Sequence, residues 1–123
     1  MSLRAAPSPW LVDIVTTSDA LSHNSTNTQF VVPSGACVYC EMSALAHNSS
    51  TGSVYWIKQI ALYRNQSGTL TQDVVNTLTS LGDSAMNTVT CTFGNSGTTI
   101  QPSIAGIAST TIVWFLDVQY FVN

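Results

Sequence analysis

The chain has 123 residues, a length that fits one domain with its own hydrophobic core. Only 7% of its residues are charged, and the three Lys and Arg residues against six acids, a net charge of −3, cannot supply the phosphate contacts of a nucleic-acid-binding protein. With 45% hydrophobic residues the chain should fold, and the longest apolar stretch of its C-terminal strand is far short of the ~20 residues that cross a bilayer, so no membrane insertion is expected.

The first nine residues are predicted to lie outside the domain. They contain Pro7 and Pro9 and lack the apolar run of a signal peptide, which indicates a linker or a start derived from an expression vector. Residues 10–123 are then expected to form a single domain.

Short apolar runs alternate with turn residues along the rest of the chain, a pattern typical of strands joined by tight connections. The predicted strands are residues 10–15, 29–32, 36–47, 53–64, 69–78, 88–93, 98–101 and 110–122. Residues 73–78 also fit a short helix, and 18–28 and 102–109 are predicted loops. Seven to nine strands with frequent turns predict an all-β fold, an antiparallel β-sandwich or jelly roll.

Strands 36–47 and 53–64 are predicted to form a long hairpin around the loop Asn48–Gly52. Pairing across a five-residue loop sets Val38 opposite Leu62 and Ala46 opposite Val54. The first predicted face carries Val38, Cys40, Met42, Ala44 and Ala46 with Leu62, Ile60, Lys58, Trp56 and Val54. The second carries Cys37, Tyr39, Glu41, Ser43 and Leu45 with Tyr63, Ala61, Gln59, Ile57 and Tyr55.

The C-terminal strand has one wholly apolar or aromatic face and one mixed face. The core face is predicted to consist of Ile112, Trp114, Leu116, Val118, Tyr120 and Val122. The other holds Val113, Phe115, Asp117, Gln119 and Phe121. We expect the core face to pack on the hairpin face that carries Trp56, Ile60 and Leu62.

No catalytic, metal-binding or cofactor-binding set is identified. Cys37 and Cys40 have CxxC spacing, but residues three apart on a strand point to opposite faces, so they cannot share a metal or readily form a disulfide. With Cys91 they are expected to be buried, free thiols. His23 and His47 fall in predicted loops without nearby carboxylates, the six acids are scattered, and no GxSxG motif occurs. A non-enzymatic protein is expected.

From Gly35 onward the order of features resembles the small β-sandwich domains of bacteriophage tail fibres and related virion proteins. The resemblance covers about two-thirds of the chain. It rests on Val54-Tyr55-Trp56-Ile57, Tyr63-Arg64, the turn Gly94-Asn95-Ser96-Gly97 and the strand from Ala108 to Val118. It implies a virion structural or host-attachment role, a homotrimer, and a place in the virion after assembly in the host cytoplasm.

Two other functions stay open at this stage. A carbohydrate-binding module of an extracellular protein would stack exposed Trp or Tyr on the sugar rings of a cell-surface glycan. An enzyme would need a pocket that holds His23 or His47 beside a nucleophile.

Half-apolar surface in excess of what a soluble monomer exposes predicts a symmetric homo-oligomer, and the resemblance favours a trimer. Low net charge and polar groups among aromatics agree with interface chemistry. The predicted interface residues are Tyr39, Tyr55, Ile57, Tyr63, Phe115 and Asp117.

Overall fold

A computed structural model describes residues 10–123, and the predicted linker 1–9 lies outside the described residues. This part of the chain contains nine strands and one turn of 3-10 helix, Ser84–Met86. The strands are β1 (Trp10–Thr17), β2 (Ser22–Asn24), β3 (Phe30–Val31), β4 (Cys37–Asn48), β5 (Val54–Gln66), β6 (Thr69–Gly82), β7 (Thr90–Ser96), β8 (Thr99–Ala105) and β9 (Ile112–Val122). The predicted all-β class is confirmed.

The strands form two antiparallel sheets. The larger sheet has the order β1-β9-β4-β5-β6, so that β4 is its central strand. In the smaller sheet β8 pairs with β2 and β3 along one edge and with β7 along the other. Residues of both sheets form one buried cluster, as in the predicted β-sandwich.

The core lies between the sheets and is built from alternating side chains. Trp114, Leu116 and Val118 of β9 are fully buried, as predicted, while Val113 and Phe115 face the other way. Cys91 of β7 meets β4 across the core, where its Sγ lies 3.6 Å from Met42 Sδ. The predicted core faces of β4 and β7 are therefore confirmed, and that of β9 is confirmed as far as Val118. At the end of β9, Tyr120 is half-buried and Val122 is exposed, contrary to the prediction.

The predicted hairpin register is wrong by one residue. The Asn48 N–H donates to the Ser53 carbonyl (2.9 Å), so the loop has four residues, and Val38 pairs with Tyr63 and not with Leu62. The Asn48 side chain explains this, because its Oδ1 accepts from the backbone N–H groups of Ser50 (3.0 Å) and Thr51 (3.4 Å). Asn48 thus ends the strand and does not begin the loop.

A register shift of one residue moves every side chain of β5 to the opposite face of the sheet. Ile57, Gln59, Ala61 and Tyr63 are buried in the core. Trp56, Lys58, Ile60 and Leu62 lie on the opposite, outward face. The expected packing of Trp56, Ile60 and Leu62 on the core face of β9 is wrong for that reason.

Buried polar groups tie the two sheets together. The Gln59 Oε1 accepts from the Phe93 backbone N–H (2.8 Å), and its Nε2 donates to Thr77 Oγ1 (3.2 Å). The Gln72 Nε2 donates to Tyr63 Oη (2.6 Å) within the larger sheet and to the Phe93 carbonyl of β7 (3.3 Å) in the smaller one. Among the described residues every buried side-chain nitrogen and oxygen has a hydrogen-bond partner, so these polar groups are compatible with a stable interior.

Three element boundaries differ from prediction. Segment 73–78 belongs to the single strand β6 and is not helical, and β2 lies within the predicted loop 18–28. Strand β8 runs through Pro102, although the sequence predicts a loop there. Proline is tolerated because Pro102 lies between the stretches of β8 that pair with β2 and with β3.

Candidate functional site

The candidate site is the outer face of the five-stranded sheet, the side that turns away from the smaller sheet. Strand pairing aligns one apolar residue from every strand of this face into a single row. This apolar row consists of Ile14, Phe115, Leu45, Trp56 and Leu81. Ile14 and Leu81 are 67% and 63% exposed, and the five-strand row is about 19 Å wide. A hydrophobic stripe of this width on the surface indicates a contact surface.

A second group of apolar side chains lies on the outer face near the C-terminal end of β9. Tyr39 pairs with Phe121 on β9 and with Leu62 on β5, and Leu62 pairs with Val74 on β6. The Tyr39 and Phe121 rings stack with centroids 6.0 Å apart. Tyr39, Phe121 and Leu62 border an apolar cavity of about 300 Å³ that Cys37 also lines.

Between the two apolar groups runs a polar row formed by Asp117, Ser43 and Lys58 on β9, β4 and β5. With Glu41 and Gln119 these residues line a recess of about 170 Å³, the polar recess. The described residues contain two ion pairs, Arg64–Asp73 and the His23–Asp19 contact, and neither involves a residue of the recess. Among residues 10–123, Lys58, Glu41 and Asp117 therefore form no ion pair.

Within the polar recess Glu41 has a neutral hydrogen-bond partner. The Tyr39 Oη donates to its Oε1 (3.1 Å). Partial burial raises the pKa of the Tyr39 phenol, and the bond to Glu41 and the charge of that carboxylate raise it further. Tyr39 thus stays a neutral donor at ordinary pH.

The six predicted interface residues are divided between two faces. Tyr39, Phe115 and Asp117 lie on the outer face. The register places the other three, Tyr55, Ile57 and Tyr63, on the core face, where Ile57 and Tyr63 are buried. The six residues therefore do not form one surface, and the interface itself stays a prediction.

Sequence reasoning missed the outer-face roles of Ile14, Trp56 and Lys58. Asn48 was the available signal, since an Asn followed by small polar residues caps a turn with its side chain and so favours the shorter loop. Strand order, which brings β1 beside β9, has no comparable signal in the sequence.

The described residues include three cysteines and two histidines, residue types that serve as nucleophiles and metal ligands. Cys37 is exposed and Cys40 is buried, on opposite faces as predicted, although Cys37 was expected to be buried. Burial raises the pKa of the Cys40 and Cys91 thiols to about 12. Within residues 10–123, no cluster of three His, Cys, Asp or Glu side chains could hold a metal ion.

Both histidines lie in strands and not in loops. His47 is near the end of β4, and His23 is in β2, where its Nε2 lies 2.8 Å from Asp19 Oδ1. A carboxylate is thus close to His23, contrary to expectation, and this contact lowers the pKa of Asp19. Both imidazoles are exposed, which suits solvated surface residues.

Among the described residues, no helix is long and apolar enough to cross a membrane.

Comparisons with known proteins find fold likeness without sequence relatives. No family model and no curated protein matches the chain. The tailspike protein of Acinetobacter baumannii phage AM24 is similar in structure, with a TM-score of 0.52 and 8% identity over 91% of this chain and 26% of that one. The tailspike of Acinetobacter baumannii bacteriophage Fri1 is described as a capsular polysaccharide depolymerase. Its TM-score is 0.46 and its sequence identity is 18%, over 92% of this chain and 18% of that one. This chain therefore spans about a quarter or less of either protein, and the likeness to the AM24 tailspike concerns the fold.

Proposed function

We propose that this chain is a virion structural or host-attachment domain of a phage tail fibre or tailspike. It acts as a homo-oligomer, a trimer by preference, without catalysing a reaction. The outer face carries the proposal, because an apolar row across five strands on a chain with 7% charged residues needs a covering surface. The fold likeness to part of the AM24 tailspike supports the same role by analogy.

Immunoelectron microscopy tests the location. An antibody raised against residues 10–123 is applied to particles released from cells that carry the gene. Label at the tail of the particle is the expected result. Intact particles without label, with the protein recovered only from the soluble fraction, would contradict a virion role.

A reducing-end assay tests the absence of catalysis. The purified domain is incubated with bacterial surface polysaccharides, and new reducing ends are counted against a heat-denatured sample. No increase over that sample is expected. A steady increase that scales with protein concentration would instead show a depolymerase.

A carbohydrate-binding module is the second candidate, and the polar recess favours it. Hydrogen-bonding side chains there lie beside Trp10, which pairs with Gln119 across β1 and β9 and is 62% exposed. An exposed indole next to polar groups is the chemistry that holds a sugar ring. Titration with neutral and acidic oligosaccharides, followed by tryptophan fluorescence, would show saturable quenching. The change should disappear in Trp10→Ala and persist in Leu21→Ala.

A further inference from the structure

We propose that the outer face packs on the outer face of a second copy of this chain, about an axis parallel to β4. In this arrangement Lys58 of one copy pairs with Asp117 of the next. The inference rests on the homo-oligomer of the proposed function and specifies its surface and its axis.

Two charged residues of the outer face lie on opposite sides of its central strand β4, which itself carries Glu41. Asp117 is on β9 and Lys58 is on β5, and Ser43 of β4 pairs with both. The two charged groups therefore share one row at equal strand spacings from β4. Neither forms an ion pair within the described chain, and both side chains are half-buried.

This arrangement selects one orientation of the symmetry axis. An axis parallel to β4 and in front of it brings the β5 side of one outer face against the β9 side of the next. Lys58 then meets Asp117 at the same height, in a dimer and equally in a trimer whose outer faces surround the axis. A twofold axis perpendicular to the strands and through this row would bring Lys58 against Lys58 and Asp117 against Asp117, and like charges in contact cost affinity. The axis parallel to β4 makes two opposite-charge pairs and opposes like groups only at Glu41 of β4, whose Oε1 accepts the hydrogen bond of Tyr39 Oη.

The apolar residues agree with the same axis. The row of Ile14, Phe115, Leu45, Trp56 and Leu81 meets its own counterpart at the same height and would be buried together with it. Apolar side chains around the Lys58–Asp117 pairs exclude water, which strengthens the attraction between the two charges. Polar groups surrounded by aromatic and aliphatic side chains are typical of protein interfaces.

Charge reversal tests the pairing. Lys58→Asp and Asp117→Lys each place like charges in contact, and each should weaken self-association about tenfold or more. The double variant Lys58→Asp with Asp117→Lys restores opposite charges and should recover most of the wild-type affinity. Asp19→Lys, in the loop between β1 and β2, makes the same charge change as Asp117→Lys but away from the outer face. It should leave association unchanged. Sedimentation equilibrium measures the dissociation constants.

Each outcome separates the inference from the proposed function. Circular dichroism first establishes that every variant is folded. An oligomer that survives both single reversals, or a double variant no tighter than the singles, would overturn the proposed face while leaving the virion role to the labelling experiment. A wild-type chain that stays monomeric would overturn the homo-oligomer and the face together, again without deciding the tail location. Weaker self-association in both single variants, with affinity recovered in the double variant, supports the pairing.

Discussion

Trp114 is the largest side chain that the core buries completely. Its indole also has a polar partner, because Nε1–H donates to Thr17 Oγ1 (3.0 Å) and so links β9 to the edge strand β1. The predicted alternation of the C-terminal strand already placed this residue inside. The hydrogen bond was beyond sequence reasoning, since Thr17 is nearly a hundred residues away and only strand pairing brings it close.

Trp114→Ala should lower the free energy of unfolding by about 3–5 kcal/mol, through lost burial and the cavity that remains. Urea titration measures the change. Leu21→Ala is a control, because Leu21 is 68% exposed and its truncation should cost less than about 0.5 kcal/mol. A loss below about 1 kcal/mol for Trp114→Ala would place the indole outside the core.

Two buried thiols and a buried phenol predict loss of stability at high pH. Burial raises the pKa of Cys40 and Cys91 from 9.0, and of Tyr63 from 10.0, in each case to about 12. The unfolded chain therefore releases these protons first. The contribution of these three groups to the free energy of unfolding is fully present below about pH 9 and is lost as the pH rises towards 12.

Urea titrations at about pH 8 and about pH 11 measure this decline. Cys91→Ala should show a smaller decline than the wild type, because one buried thiol no longer titrates. Cys37→Ala should show the full decline, since that thiol is exposed. Equal stability of the wild type at both pH values would contradict the prediction.

At the scale of single strands, predictability depended on the contrast between the two faces. In β9 one face is apolar and the other includes Asp117 and Gln119, so alternation alone identified the core side. In β5 between Val54 and Tyr63, each face carries apolar residues and one long polar side chain, Lys58 or Gln59. Alternation could not decide between them, and the loop length, set by the hydrogen bonds of Asn48, determined which polar residue was buried.

Asn48→Ala should lower the free energy of unfolding by about 0.5–1.5 kcal/mol, because Ser50 and Thr51 lose their side-chain acceptor. Asn95→Ala, at an exposed position of β7, is the matched control and should change stability by less than about 0.5 kcal/mol. Thermal unfolding compares the two variants. Equal effects would show that the Asn48 amide does not stabilise the four-residue loop.

At the scale of the whole molecule, the two sheets are unequal. The larger sheet has long strands throughout, whereas β2 and β3 have three and two residues. The fold class followed from the spacing of strands and turns, which is local information. The outer face did not, because its rows depend on strand order, and β1 and β9 come from opposite ends of the described chain.

Two similarly exposed apolar residues lie on opposite sides of the sandwich. Ile14, at the β1 end of the apolar row, is 67% exposed, and Val31, on β3 of the smaller sheet, is 63% exposed. If copies meet through the outer face, Ile14→Asp places a carboxylate in an apolar contact and should shift the protein towards a monomer of 13.1 kDa in light scattering at tens of micromolar. Val31→Asp adds the same charge on the other side and should keep the wild-type mass. Dissociation by Val31→Asp alone would move the interface to the smaller sheet, and a monomeric wild type would remove it.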